Sequence, residues 1–261
     1  APYNIIEAGY ASMNMPFVVF YWLLIIFIPA ISMGKISDEK STGLLNLMIS
    51  KPIALKYIVI AKWLATFIIT LITILLTIPY CIAISHLGNL DWGITMCGYL
   101  GLILHSILII SISLYTSAKA KNSVNALFYT WIILIIIIGI PSSLLLLDLS
   151  SEMEMLIMRF ALNEYFRSMN QGMMYVYGAI LYIAISIIFT ILTGHALTET
   201  FRTKRATIRH YSIILAIGVI VIVSYLSPIR VDFSLSNKFS LSPMTIETLK
   251  KNELPISVNI Y

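Results

Sequence analysis

Six stretches of this chain contain no Asp, Glu, Lys or Arg: residues 15–33, 63–85, 92–118, 122–147, 168–198 and 211–229. Together they hold 145 of the 261 residues, so all 29 formal charges fall in the other 116, a quarter of which are charged. A quarter is the ordinary share of a water-exposed chain, so two materials alternate along the sequence. A bilayer core about 30 Å thick takes about 20 apolar residues at helical rise, with every backbone amide paired inside the segment. The stretches run from 19 to 31 residues and all meet that length. One alone would also fit a buried helix of a soluble protein, but six in series do not. The apolar content of 59% and mean hydropathy of +0.92 exclude a soluble single domain, a disordered chain and a nucleic-acid-binding protein.

The expected architecture is an all-α integral membrane protein. It has six transmembrane helices, short amphipathic interfacial helices, and the start of a small α/β outer domain at the C-terminus. Residues 1–14 read as an outer lead-in, and 15–198 as a membrane domain with spans about 15–33, 60–85, 92–118, 122–147 and 173–198. Residues 199–210 read as a basic linker, 211–229 as an anchor span and 230–261 as the beginning of the outer domain. Orientation follows from the basic residues between spans. Lys35, Lys40, Lys51, Lys56, Lys62, Lys119, Lys121, Arg202, Lys204, Arg205 and Arg209 fall on one side, against Arg159 and Arg167 in the opposite short loops. The first set is expected in the cytoplasm, so the net charge of +5 reads as topology and not as affinity for an acidic partner.

Ala1 is not an initiator Met, and the lead-in has no basic n-region, so it is no signal peptide. An outward N-terminus without one implies a preceding span. Ser242 and Pro243 make a cap and first-turn pair for a helix toward Lys251, and ISVNIY after Pro255 alternates like a strand.

The connection after the first span, GKISDEKSTGLLNLMISKPIALKYIVIAK, is the most informative segment. From Asp38 to Ser50 it fits one short amphipathic helix, with Leu44, Leu47, Met48 and Ile49 on one side and Asp38, Glu39, Lys40 and Asn46 polar, stopped by Pro52. Such a helix either rests on lipid headgroups or docks a cytoplasmic partner. Its mixed charge and Gly43 suit protein contact better than anionic lipid.

These residues carry a resemblance. An acidic and basic pair, then Thr42 and Gly43, an aliphatic run, Lys51-Pro52 and a second helix with Lys62, resembles the first cytoplasmic loop of ABC type-2 permeases. The nearest likeness is to the gliding-motility-associated GldF type. NIIEAGYASMNMPFVVFYWLLIIFIPAISM at 4–33 is similar to that family's approach to its second span, SAKAKNSVNALF at 117–128 to a later short loop, and EYFRSMNQGMMYVYGAILY at 164–182 to the entry of its last span. Residues 210–261 are similar to the start of the GldG-type auxiliary subunit, which has one anchor span and an outer domain. Asn46 stands where the family commonly has Glu, and Gln171 where it has a basic residue, so neither charge carries over.

The resemblance implies a permease in the bacterial inner membrane that pairs with a second copy and receives a separate ATP-binding ABC ATPase subunit at the 34–62 loop. Glu39, Lys40, Gly43 and Leu44 would form that coupling surface. The sequence holds no G-x-x-x-x-G-K-[ST] loop, so ATP hydrolysis is expected in the partner, with the bilayer and no nucleic acid as further surroundings. Two other classes compete: a non-transporting scaffold that anchors an outer domain and recruits a cytoplasmic protein, and a secondary carrier. The carrier is disfavoured because no Asp, Glu, Lys or Arg is expected within a span.

A second amphipathic segment lies at 148–172. Met153, Leu156, Ile157, Phe160, Ala161 and Tyr165 form a stripe, read either as a helix on the outer leaflet or as an outer lid. No catalytic residue, cofactor or metal site is expected. His86, His105, His195 and His210 are scattered, and His105, alone deep in a span, is expected to be a hydrogen-bonded interior residue. Cys81 and Cys97 are expected as two buried thiols, and Thr70, Thr73, Thr77, Ser111, Ser113, Asn125 and Thr130 as helix-packing groups. Pro29, Pro79 and Pro141 mark plausible kinks.

Overall fold

The computed structural model describes residues 12–50, 54–147, 150–198 and 229–235, together with Ala216, Gly218 and Val221. Five helices in it are long and apolar enough to cross a membrane: Asn14–Ser41, Leu55–Leu87, Trp92–Lys119, Ser123–Leu144 and Val176–Leu197. The sixth stretch, 211–229, lies outside the described residues except for Ile229 and three helical positions, of which Val221 packs against the core. The linker 199–210, Lys51 and Pro52, and the tail helix and strand expected beyond 235 also lie outside them.

Helix α1 (Asn14–Ser32) buries Phe17, Tyr21, Leu24 and Ile28, a stripe at helical spacing, and exposes Val19, Trp22, Ile26 and Phe27 on its other side. After it come α2 (Gly34–Ser41) and α3 (Leu44–Ile49), then α4 (Leu55–Leu75) and α5 (Ile78–Leu87). Helix α6 (Trp92–Lys119) is the centre of the bundle. In its most apolar window 72% of residues are buried, against 22% for Leu55–Leu87 and for Ser123–Leu144. The sequence explains this difference. α6 carries Gly98, Gly101, Ser106, Ser111, Ser113, Thr116 and Ser117, small residues that let neighbours approach on every side. A Cβ at Gly98 would lie 2.4 Å from the Phe17 ring, and one at Gly101 would lie 3.1 Å from Phe166.

Helix α7 (Ser123–Leu134) continues through a π-helical turn, Ile135–Gly139, into α8 (Ile140–Leu144). Pro141 lacks the N–H an α-helix needs and its ring crowds the preceding turn, which accounts for the widened turn just before it. Then come α9 (Ser151–Phe160), α10 (Leu162–Asn170), β1 (Met173–Tyr175), α11 (Val176–Thr198) and β2 (Arg230–Asp232). Asp91 caps α6 by accepting from Ile94 N at 3.1 Å, and Asn122 caps α7 by accepting from Asn125 N at 2.8 Å.

Lys35, Lys40, Lys56, Lys62, Lys119 and Lys121 gather at one end of the bundle, called here the basic end. At the far end, β1 and β2 pair antiparallel with Met173 opposite Asp232, Met174 opposite Val231 and Tyr175 opposite Arg230. Phe233 N donates to Gly172 O at 2.9 Å and Leu235 N to Asp91 Oδ2 at 3.3 Å, so the strand is tied to the top of α6.

Three sequence expectations are corrected. The helix expected over 38–50 is two helices, because Gly43 adopts φ +77°, a left-handed conformation that ends α2. The stripe expected over 153–165 breaks at Ala161, whose ψ of 86° lies outside the helical range. The second span is a helix from Leu55, interrupted near Leu76 and Thr77 ahead of Pro79, and it includes Lys56 and Lys62.

Candidate functional site

At the basic end the chain turns from α1 into α2 at Met33, and the turn is held from across the bundle. Ser117 Oγ, on α6, donates to Met33 O at 2.7 Å and accepts from Ile36 N and Ser37 N, both at 3.1 Å. A new helix start leaves its first N–H groups without intrahelical partners, and Ser117 fills that role from 80 residues away. Lys62, in α4, adds a second tie. Its ammonium donates to Lys35 O at 2.7 Å and pairs with Glu39 at 2.5 Å, with side-chain exposures of only 12% and 23%. Lys40 Nζ reaches Ala118 O at 3.5 Å. The elbow formed by α2 and α3 is therefore fastened to both α4 and α6.

The four residues expected to form a coupling surface divide in two. Lys40 and Leu44 are exposed, Leu44 at 44%, and Leu47 beside it at 65% extends the apolar patch. Gly43 sits at the break between the helices. Glu39 points inward to Lys62, and Asp38 is the acidic residue on the exposed side. The expectation that no charged side chain enters a span is thus corrected at Lys62, whose long stem carries its ammonium to Glu39. Sequence reasoning missed Ser117 as a positioning residue. Nothing local marks it, since its partners lie some 80 residues earlier.

At the far end the expected lid residues stand on the surface. Met153, Leu156 and Phe160 are 52%, 49% and 59% exposed, and Ile157 is half-buried. Anchorage comes instead from α10, which buries Leu162, Phe166 and Met169, while Asn170 Nδ2 donates to Asn14 O at 2.9 Å.

Between the two ends lies a buried ring cluster. The His105 ring stacks on Tyr21 at 3.8 Å between centroids, Tyr21 stacks on Phe166 at 4.3 Å, and Tyr182 meets His105 edge-on at 6.3 Å. Tyr182 donates to Leu162 O at 3.0 Å. Neither His105 nitrogen nor the Tyr21 hydroxyl has a hydrogen-bond partner among the described residues, which corrects the expectation of a hydrogen-bonded interior histidine. It is held by ring stacking. Among the described residues no group of three or more His, Cys, Asp or Glu is placed to hold a metal, and Cys81 and Cys97 are free and buried.

The polar residues of the spans are split between two uses. Ser111 accepts from Trp63 Nε1 at 2.9 Å and from Thr190 at 3.2 Å, joining α4, α6 and α11, and Thr116 meets Thr130 at 2.6 Å between α6 and α7. Thr77 meets the Tyr99 hydroxyl at 2.9 Å. Thr70 and Thr73 instead bond carbonyls of their own helix, and Ser113 Oγ has no partner among the described residues. Compared with protein-family profiles, with curated proteins and with solved structures, the chain gives no match.

Proposed function

We propose that this chain is the membrane subunit of an ATP-driven exporter of the ABC type-2 kind, of the gliding-motility or surface-secretion sort, working in the bacterial inner membrane as one of a pair. In this reading the basic end faces the cytoplasm and a separate ATPase subunit seats on the elbow of α2 and α3. The observation that supports the reading is the fastening of that elbow. A docking element coupled to span movement must be tied to the spans, and Ser117, Lys62 and Lys40 tie it to α4 and α6, while Leu44 and Leu47 face outward for contact.

The test is copurification with an ATPase carrying a phosphate loop, followed by ATP turnover and export in vesicles. Charge reversal at Glu39 combined with a bulky residue at Gly43 should break the Lys62 pair and strain the left-handed turn. The expected result is at least a tenfold loss of coupled transport, on the order of 1.4 kcal/mol. Transport that stays coupled in this variant overturns the assignment.

A further inference from the structure

A groove of about 450 Å³ lies on the flank of the bundle where α4, α6 and α11 meet. Large side chains wall it, Ile60 and Trp63 of α4 on one side and Ile183, Ile187 and Ile191 of α11 on the other. Short ones lie between them, Ser111 of α6 with Ser186 and Thr190 of α11. Trp63 is fixed by its bond to Ser111 and by stacking on Phe67 at 5.2 Å between centroids. The hydroxyls bond inward: Ser186 Oγ donates to Tyr182 O at 2.8 Å, Thr190 Oγ1 to Ser186 O at 2.8 Å and Ser111 Oγ to Ile107 O at 2.9 Å. Little polar surface is left in the groove, so it suits hydrocarbon and not a polar solute.

Its shape selects the kind of hydrocarbon. From Ile183 to Ile191 is about 12 Å along the helix, close to the roughly 15 Å of hydrocarbon in one leaflet. Volume over that length gives a mean cross-section of about 40 Å², about 7 Å across, whereas a helix with its side chains is about 10–12 Å wide. A single acyl chain enters such a groove, and a spanning helix, from a second copy or from 211–229, does not. Charge then selects the headgroup. Lys56, exposed in the first turn of α4 at the basic end, lies one turn before Ile60 on the same face of the helix. Its Nζ stands 4.9 Å from the centre of the Tyr57 ring, a contact with the ring face that leaves ammonium N–H groups to donate to a phosphate. The three helices that line the groove carry Lys56, Lys62 and Lys119 and no Asp or Glu, and Lys62 is already paired with Glu39 of α2.

We infer that this groove holds one acyl chain of an anionic phospholipid from the leaflet at the basic end, with the lipid's phosphate at Lys56. The full chain is reconstituted in nanodiscs with phosphatidylglycerol or phosphatidylcholine carrying a diazirine on the acyl chain, and cross-links are mapped by mass spectrometry. The glycerol probe is expected to label Ile183, Ile187 and Ile191 about fivefold more than the choline probe, the effect of one lysine at headgroup depth. Lys56→Gln, at an exposed position, should bring the two probes level there. The apolar groove at Trp22, Ile26, Trp131 and Ile135 supplies the reference for ordinary lipid contact, and both probes should label it alike, since α1 and α7 carry no charged side chain. Equal labelling of 183–191 by the two probes, or a preference that survives Lys56→Gln, overturns the inference. So does protection of 183–191 from both probes while the reference groove is labelled, the pattern expected if a second copy or the 211–229 span covers the groove.

Discussion

Ser117 does three things with one hydroxyl, and each concerns the same turn. It gives a hydrogen to Met33 O and takes one each from Ile36 N and Ser37 N, so the first turn of α2 has its orphan donors met without a cap of its own. Ser117→Ala removes all three bonds at a fully buried position and leaves two backbone donors with nothing to replace them. The expected loss is about 1–3 kcal/mol, seen as faster amide exchange at Ile36 and Ser37 while α6 itself keeps its protection. Unchanged exchange at those two amides would show that the turn holds without the serine. His105 shows the opposite case. Its position deep in a span was readable from the sequence, but its environment was not, because the rings around it come from α1, α10 and α11. Nothing near residue 105 in sequence announces Tyr21 or Phe166.

Helices in this bundle are broken where local chemistry breaks them, and some of those breaks repair themselves through neighbours. Pro29 cannot donate to Ile25 O, the carbonyl four residues earlier, and Trp131 Nε1 from α7 donates to that oxygen at 3.3 Å. Trp131→Phe keeps most of the ring and removes the donor. A loss of about 0.6–1.5 kcal/mol is expected, measurable by unfolding in mixed detergent, and Pro29→Ala should shrink it, since the carbonyl then regains its own helical partner. The breaks ahead of Pro79 and Pro141 were legible as kink sites because proline acts within its own helix, whereas α1 runs on through Pro29 to Ser32. The breaks at Gly43 and Ala161 were not, for a different reason. The apolar spacing runs smoothly across both, and periodicity reports which side of a helix is apolar, not whether one helix or two carries it. Lys62 was misjudged for a related cause. The uncharged stretch starts only at 63, after Lys62, whereas the helix begins at Leu55 and the ammonium is led back to Glu39 and Lys35.

The described residues form a bundle around one polar-flecked helix, and its small residues explain the packing although no sequence pattern singled it out as central. Gly, Ser and Thr concentrate in α6 and mark it as the packed centre, while the isoleucine-rich segments of α4 and α7 keep large side chains exposed. The closing sheet was not legible. Two strands of three residues each, separated by all of α11 and more, carry too few alternations to register as a pair. Gly93 is the best handle on this closure, because a Cβ there would lie 1.8 Å from Phe233 O. With cysteines at the facing positions Met174 and Val231, a disulfide should form readily in an otherwise unaltered chain. Gly93→Ala should slow it about tenfold or more by shifting β2 away, and equally fast cross-linking would mean that the strand does not depend on this approach. The same sheet sets a load path. Tension applied to the chain beyond Leu235 meets Asp91, Gly172 and three antiparallel residue pairs before it reaches anything on the N-terminal side of β2. A pull on the tail is delivered first to the head of α6 and the junction of α10 with α11, and α6 runs from there to Ser117 and the elbow at the opposite end.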